Sequence, residues 1–248
     1  VDPKAIPDSY RDYLELMKRE GEFLDIDDQI DWNLEIGAII RRSSETLSKS
    51  VIFNNVKDCP GFRAADYGMQ KSGTRGKPWA RLAPFIGLPL DTPMMDMQAA
   101  YIKHLENGKV HPPKIVENKD APCKENMWLG DDIDLNKISA PLLHAGDAQR
   151  MIQTCGVNIV QTPDKKWTNW SINRGAVMDK SMMAGSWLPH QHNGMIYKMW
   201  KEKGEECPFA IVLGVPPACA VQSTSRIPDW EDGLGLNQYI VKIRGWYD

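Results

Sequence analysis

Residues 157–173 can fold in few ways. Val157, Ile159 and Val160 lie in one β-type run, Pro163-Asp164-Lys165-Lys166 supplies a turn, and residues 168–173 supply a return run. Successive strand residues point to opposite faces, so the polar side chains of the return run have set directions. Asn169 stands inside that run, Arg174 follows it, and Pro189-His190-Gln191-His192 comes a short stretch later. An Asn and a His that converge offer one oxygen and one nitrogen. That pair suits manganese or magnesium held partly by phosphate, with a carboxylate expected as well. Arg174 adds a planar positive charge able to hold a phosphate or a carboxylate through two hydrogen bonds.

Each of these residues also has an ordinary reading. Asn169 can simply pair with backbone in a hairpin, and spacing alone does not choose. His190 and His192 flank Gln191 and would share a face in a strand. Arg174 lies five positions beyond Asn169, so in an extended strand the two face opposite sides. A bend is needed if both serve one site. The apolar Ala176, Val177 and Met178 predict a sheltered guanidinium, which then requires an anionic partner. Gly214-Val215-Pro216-Pro217-Ala218-Cys219-Ala220 predicts a strand end and a rigid turn, whose small residues let something flat approach the backbone. Ser223, Thr224 and Ser225 offer oxygens beyond it. Glu231-Asp232 beside Gly233 reads either as a metal ligand or general acid, or as a solvated turn.

Composition removes several classes. The net charge of −3 over 248 residues, without a basic patch interleaved with aromatics, argues against nucleic acid as a partner. No apolar stretch approaches a membrane span of roughly 18 residues, and the first residues lack a leader pattern, so the expectation is a soluble, cytoplasmic protein. Cys59, Cys123, Cys155, Cys207 and Cys219 are odd in number and widely spread, and read as reduced buried thiols. The P-loop, the dinucleotide fingerprint and the nucleophile elbow are all missing.

Along the chain, residues 1–115 predict a mixed α/β region. Ser9 and Asp12 cap a helix with Tyr10, Tyr13, Leu14 and Met17 on one face, and Gly21 ends it. Phe23, Leu24 and Ile26 suggest a strand. Asn33 is the expected cap of a second helix carrying Leu34, Ala38 and Leu47. Val51-Ile52-Phe53 reads as a buried strand, and Thr92-Pro93 opens a helix that Gly108 closes. Residues 116–150, with Pro122, Pro141, Asp131, Asp132 and Asp134, form an irregular connector. Residues 151–248 are strand-rich at first. They include a helix over 194–203 with Met195, Met199 and Trp200 on one side and Gly204 at its end, and an apolar strand over 209–215.

Three motifs are family-specific: Asn169-Trp170-Ser171-Ile172-Asn173-Arg174, Pro189-His190-Gln191-His192, and the run from Pro208 through Gly214 to Pro217. With Tyr13-Leu14-Glu15, Gly21-Glu22-Phe23-Leu24, Asn33-Leu34-Glu35-Ile36-Gly37 and His144-Ala145-Gly146-Asp147, they make the chain resemble the N-terminal half of the UbiD-like decarboxylases. The resemblance implies an α/β (α+β) fold, with the mixed region followed by a split β-barrel flavin-binding domain. It implies non-oxidative decarboxylation of an aromatic, in particular phenolic, or α,β-unsaturated acid with prenylated FMN. Asn169 and His192 would bind a divalent metal, Mn or Mg, that clamps the flavin phosphate. Ser171, Ile172 and Gln191 would contact the cofactor. Arg174 would contact it too and act catalytically, while Trp170 and Ser223 would lend backbone oxygens to potassium. A homo-oligomer is implied for the full-length protein.

Two features depart from the family pattern. A glutamate expected after Ile227-Pro228 is not matched in Gly235-Leu236-Asn237-Gln238-Tyr239, and Glu231, Asp232 and Asn237 are the candidate substitutes. The glutamates that the family pairs with its arginine would lie beyond Asp248. The expectation is therefore a fragment or an impaired half that leaves the apolar Ile240, Val241, Ile243 and Trp246 uncovered. A non-catalytic flavin-binding fragment and a flavin oxidoreductase on a split barrel are the alternative readings.

Overall fold

The computed structural model describes residues 5–107, 117–152 and 154–224. Ser9 sets the start of α1 (Tyr10–Arg19), because the Asp12 amide donates to Ser9 Oγ at 3.1 Å. Tyr13, Leu14 and Met17 form its buried face. Gly21, at φ 74°, donates to the Lys18 carbonyl while the Glu22 amide donates to that of Met17, the two bonds of a Schellman end. This turn delivers the chain into β1 (Phe23–Ile26), as expected.

β1 runs parallel to β2 (Ser50–Phe53), with Phe23 opposite Ser50, and β2 runs antiparallel to β3 (Ala64–Ala65). All four β2 residues are buried. Alternation along β2 sends Ile52 into a core with Tyr13, Met17, Phe23 and Phe85, and Val51 and Phe53 into a second core with Ile30, Ile36 and Val56.

The crossover helix α2 (Glu35–Glu45) corrects the expected cap. Its first boundary residue is Leu34, in the left-handed region at φ 71° and without a side-chain cap bond. Asn33 and Leu34 are engaged elsewhere: Asn33 bridges Leu142, and the Leu34 amide donates to the Leu142 carbonyl at 2.9 Å. Ile36, Ile39 and Ile40 form the inner face, whereas Leu47 lies past the helix and is 49% exposed. α3 (Met94–Asn107) begins after Pro93, whose carbonyl accepts from the Met97 amide; Gly108 lies outside the described residues.

The connector is irregular, as expected, with short 3-10 turns at Pro122–Lys124, Gly130–Asp132 and Leu135–Lys137. Arg150 pins it. Its guanidinium donates to the carbonyls of Ala140 (2.8 Å), Asn136 (3.0 Å) and Ile138 (2.9 Å) and lies 4.3 Å from the Trp32 ring centroid.

Beyond the connector, β4 (Val157–Gln161) is the centre of a second sheet. It pairs antiparallel with β5 (Thr168–Ser171), Val160 opposite Asn169, and on its other edge with a later strand over Phe209–Val212. β6 (Gly175–Val177) and β7 (Met183–Gly185) form a separate antiparallel ribbon, and the later edge strand is β8 (Phe209–Val212). Among the described residues these strands make small open sheets.

Several local expectations are corrected here. Residues 190–192 are not a strand: His192 opens α4 (His192–Lys203), with Gln191 as its boundary residue. Ile196, fully buried, faces inward with the half-buried Trp200, while Met195 and Met199 are 36% and 38% exposed. Gly204, at φ 76°, ends the helix as predicted. The apolar strand expected over 209–215 ends at Val212, and among the described residues β8 is an edge strand with Phe209 54% exposed. The Pro216-Pro217 run starts a short helix, α5 (Pro217–Ser223), because proline is tolerated in a first turn. Ala218, Cys219 and Ala220 are buried, so their small size serves packing. Burial pushes the Cys219 thiol up to about 12, making it inert, whereas Cys123 is exposed, contrary to expectation. Ser225, Glu231, Asp232, residues 235–239 and the apolar run from Ile240 lie outside the described residues.

The regions before and after the connector are tied by Tyr67, whose hydroxyl donates to the Val215 carbonyl at 3.1 Å, and by Tyr101 of α3, whose hydroxyl donates to Gln222 Oε1 of α5 at 2.9 Å. Among the described residues no helix is long and apolar enough to cross a membrane.

Candidate metal and cofactor site

Asn is an uncommon strand residue, because it packs poorly on a pleated surface. Here Asn158 and Asn169 sit in neighbouring strands, 3% and 7% exposed, and must find polar partners. Asn169 Nδ2 donates to Asn193 Oδ1 at 2.6 Å, and Asn193 Nδ2 donates to Asn173 Oδ1 at 2.9 Å. Ser171 Oγ donates to the same Asn173 oxygen at 2.8 Å, and Asn158 Nδ2 donates to the Asn173 carbonyl at 3.3 Å. The remaining Asn169 atom, Oδ1, faces His192 Nδ1 at 3.0 Å. Trp167 stands edge-on to the His192 ring, centroids 4.9 Å apart, and limits its swing.

The sequence placed Asn169 and His192 together only as a possibility; the fold brings their donor atoms into contact. Ligands on adjacent vertices of an octahedron with bonds of about 2.1 Å lie about 3.0 Å apart, so the pair fits a manganese- or magnesium-type ion. The hydrogen bond needs a proton on Nδ1, and a bound cation would displace it. Among the described residues no group of three or more His, Cys, Asp or Glu could hold a metal.

His192 reaches its place because α4 starts there. Gly194 permits the start, since a Cβ would overlap the Leu188 carbonyl. Gln191 is exposed and makes no side-chain cap bond, leaving the helix N-terminus without that partner. Ile172 and Trp170 pack on the buried cluster of Val157, Val215, Cys219 and Ala220. Ser223, 6% exposed, donates from Oγ to the Ala220 carbonyl at 2.9 Å.

Arg174 is placed differently from the expectation. Pairing in β5 stops at Ser171 and resumes in β6 at Gly175, so residues 172–174 supply the bend that spacing required. The Arg174 side chain is nevertheless exposed, because β6 and β7 form a ribbon that does not cover it. It lines an open cleft of about 800 Å³ with Asn158, Asn173, Trp187, Tyr197 and Phe209. Asn169 and His192 do not line this cleft; Asn173 and Asn193 connect them to it. Sequence reading missed Asn193 and Asn158. The recurrence of Asn within strand-type runs was the one available signal.

Asn169 on the hairpin and His192 at the start of α4 thus meet beside a cleft that Arg174 lines. Residues 114–240 match the 3-octaprenyl-4-hydroxybenzoate carboxy-lyase Rift-related domain, and residues 14–66 match the 3-octaprenyl-4-hydroxybenzoate carboxy-lyase N-terminal domain. The chain belongs to the UbiD family. It is 38% identical over 231 residues to ferulic acid decarboxylase 1 of Candida dubliniensis, covering 89% of this chain and 44% of that protein. It is 34% identical over 221 residues to the pyrrole-2-carboxylic acid decarboxylase of Pseudomonas aeruginosa, with the same coverage of 89% and 44%. The closed form of the vanillic acid decarboxylase of Sedimentibacter hydroxybenzoicus shares the fold at TM-score 0.78 and 20% identity, over 94% of this chain and 48% of that one. The UbiD-class enzyme HmfF from Pelotomaculum thermopropionicum, in complex with FMN, shares it at TM-score 0.77 and 24% identity, over 95% and 49%. The chain thus spans about half the length of the relatives it matches.

Proposed function

We propose that this chain carries the cofactor-binding portion of a non-oxidative decarboxylase that uses prenylated FMN and acts on an aromatic, chiefly phenolic, or α,β-unsaturated acid. The observation that carries the reading is the Asn169–His192 pair, its donor atoms 3.0 Å apart, in a chain of this family. In this reading residues 1–115 are the α/β region, 116–150 the connector and 151–248 a split-barrel flavin domain. Its described part is the β5-β4-β8 sheet with the β6-β7 ribbon. The full-length protein is a cytoplasmic homo-oligomer.

Asn169 Oδ1 and His192 Nδ1 would hold Mn²⁺ or Mg²⁺ against the flavin phosphate, near the positive end of α4. Ser171, Ile172 and Gln191 would line the flavin, and the carbonyls of Trp170 and Ser223 would hold potassium. Bound prenylated FMN supplies an electron sink for the charge left when carbon dioxide departs. Arg174 grips the substrate carboxylate and holds its orientation. A carboxylic acid outside the described residues then returns a proton to the carbon.

His192→Ala is expected to lower flavin retention at least tenfold, in the range of a lost metal ligand, read as absorbance after desalting. Equal occupancy in parent and variant would remove the metal assignment. In the full-length protein, Arg174→Lys should cut carbon dioxide release from an aromatic acid by about 100-fold, because lysine keeps the charge without the planar fork. Turnover at the parent rate would make Arg174 structural. Flavin binding without any carbon dioxide release would favour a non-catalytic flavin-binding fragment.

A further inference from the structure

Asn193 has the geometry to act on the metal pair without touching a metal. It is 2% exposed at the second position of α4, and both ends of its amide are used. The oxygen accepts from Asn169 Nδ2, and the nitrogen donates to Asn173 Oδ1, which also accepts from Ser171. An Asn side chain can turn over and exchange its oxygen for its nitrogen at little steric cost. For Asn169 that exchange would aim an N–H₂ group at the cation and abolish ligation. We propose that Asn193 is a positioning residue: by accepting from Asn169 Nδ2 it keeps Asn169 Oδ1 turned to the metal, and by donating to Asn173 it ties this orientation to the segment that bears Arg174. The inference rests on the reading of Asn169 and His192 as metal ligands.

A merely structural role is separated by a change at Asn169 that removes the need for orientation. The two oxygens of an aspartate are equivalent, so in the Asn169→Asp background it no longer matters which one is anchored. Mn²⁺ affinity is read by electron paramagnetic resonance of free Mn²⁺, using the full chain with FMN in excess. Asn193→Ala should weaken Mn²⁺ binding about tenfold or more in the parent, the usual effect of losing a group that orients a ligand. In the Asn169→Asp background the same change should shift affinity by no more than about twofold, the scatter of independent sites. Equal losses in both backgrounds overturn the proposal and leave Asn193 a packing residue. Should Asn193→Ala fail to fold, Asn193→Asp provides the second arm. It retains an acceptor for Asn169 Nδ2 but loses the donation to Asn173, and should bind Mn²⁺ with no more than about a few-fold loss; a tenfold loss overturns the proposal. A parent chain that binds no Mn²⁺ overturns the metal site itself, an outcome distinct from either of these.

Discussion

Glu22→Ala is expected to destabilise the chain by about 3–5 kcal/mol, the usual cost of stranding one member of a buried ion pair. Glu22 and Arg81 are each 2% exposed in their side chains and meet at 2.9 Å. The other Glu22 oxygen accepts from Ser72 Oγ at 2.8 Å and Thr74 Oγ1 at 2.6 Å, and Arg81 also donates to the Ser48 carbonyl at 2.6 Å. Removal of the carboxylate leaves a guanidinium in the core with one backbone acceptor, and two hydroxyls without the oxygen they donate to. A buried Arg81 nitrogen, Nη1, already has no partner among the described residues, so the network has no slack to absorb the loss. Urea unfolding of the variant should show a much lower midpoint, and the double change Glu22→Gln with Arg81→Met should recover much of it. A Glu22→Ala midpoint within error of the parent would show that water enters and solvates Arg81.

Gly194→Ala should separate folding from cofactor retention in the other half of the chain. The new Cβ has no room against the backbone of Leu188 and Pro189, and a carbonyl in a turn cannot swing aside as a side-chain tip can. The first turn of α4 must therefore move. His192 and Asn193 move with it, and the contact of His192 with Asn169 opens. Overpacking of this kind costs about 1–3 kcal/mol, which leaves a folded protein. Flavin retained after desalting should nevertheless fall about as far as in His192→Ala, a tenfold effect. Normal retention in a variant with a lowered melting temperature would mean that α4 can shift without disturbing the pair.

Much of the N-terminal region was legible because its signals are local. Ser9 and Gly21 act on backbone groups within a few residues of themselves, so their reading survived folding intact. Asn33 failed for the opposite reason. The backbone on either side of it, at Trp32 and Leu34, is bonded to Leu142, over a hundred residues away, and no property of the residues around Asn33 announces that partner.

The same division runs through the site. Asn169, His192 and Arg174 stand out as candidates by residue type and by the motifs around them, since ligand chemistry belongs to the side chain itself. The hairpin was also legible, because β4, its turn and β5 are neighbours in sequence. Whether Met195 or Ile196 faces the core, whether Phe209 is covered, and whether Arg174 is sheltered depend on which surfaces come together. Hydrophobicity ranks residues for burial without saying which neighbour arrives. The amide relay from Asn169 through Asn193 to Asn173 lies wholly on that tertiary side. It links β5, the bend before β6 and the first turn of α4, and hydrogen bonds between three such elements exist only once packing has set their distances.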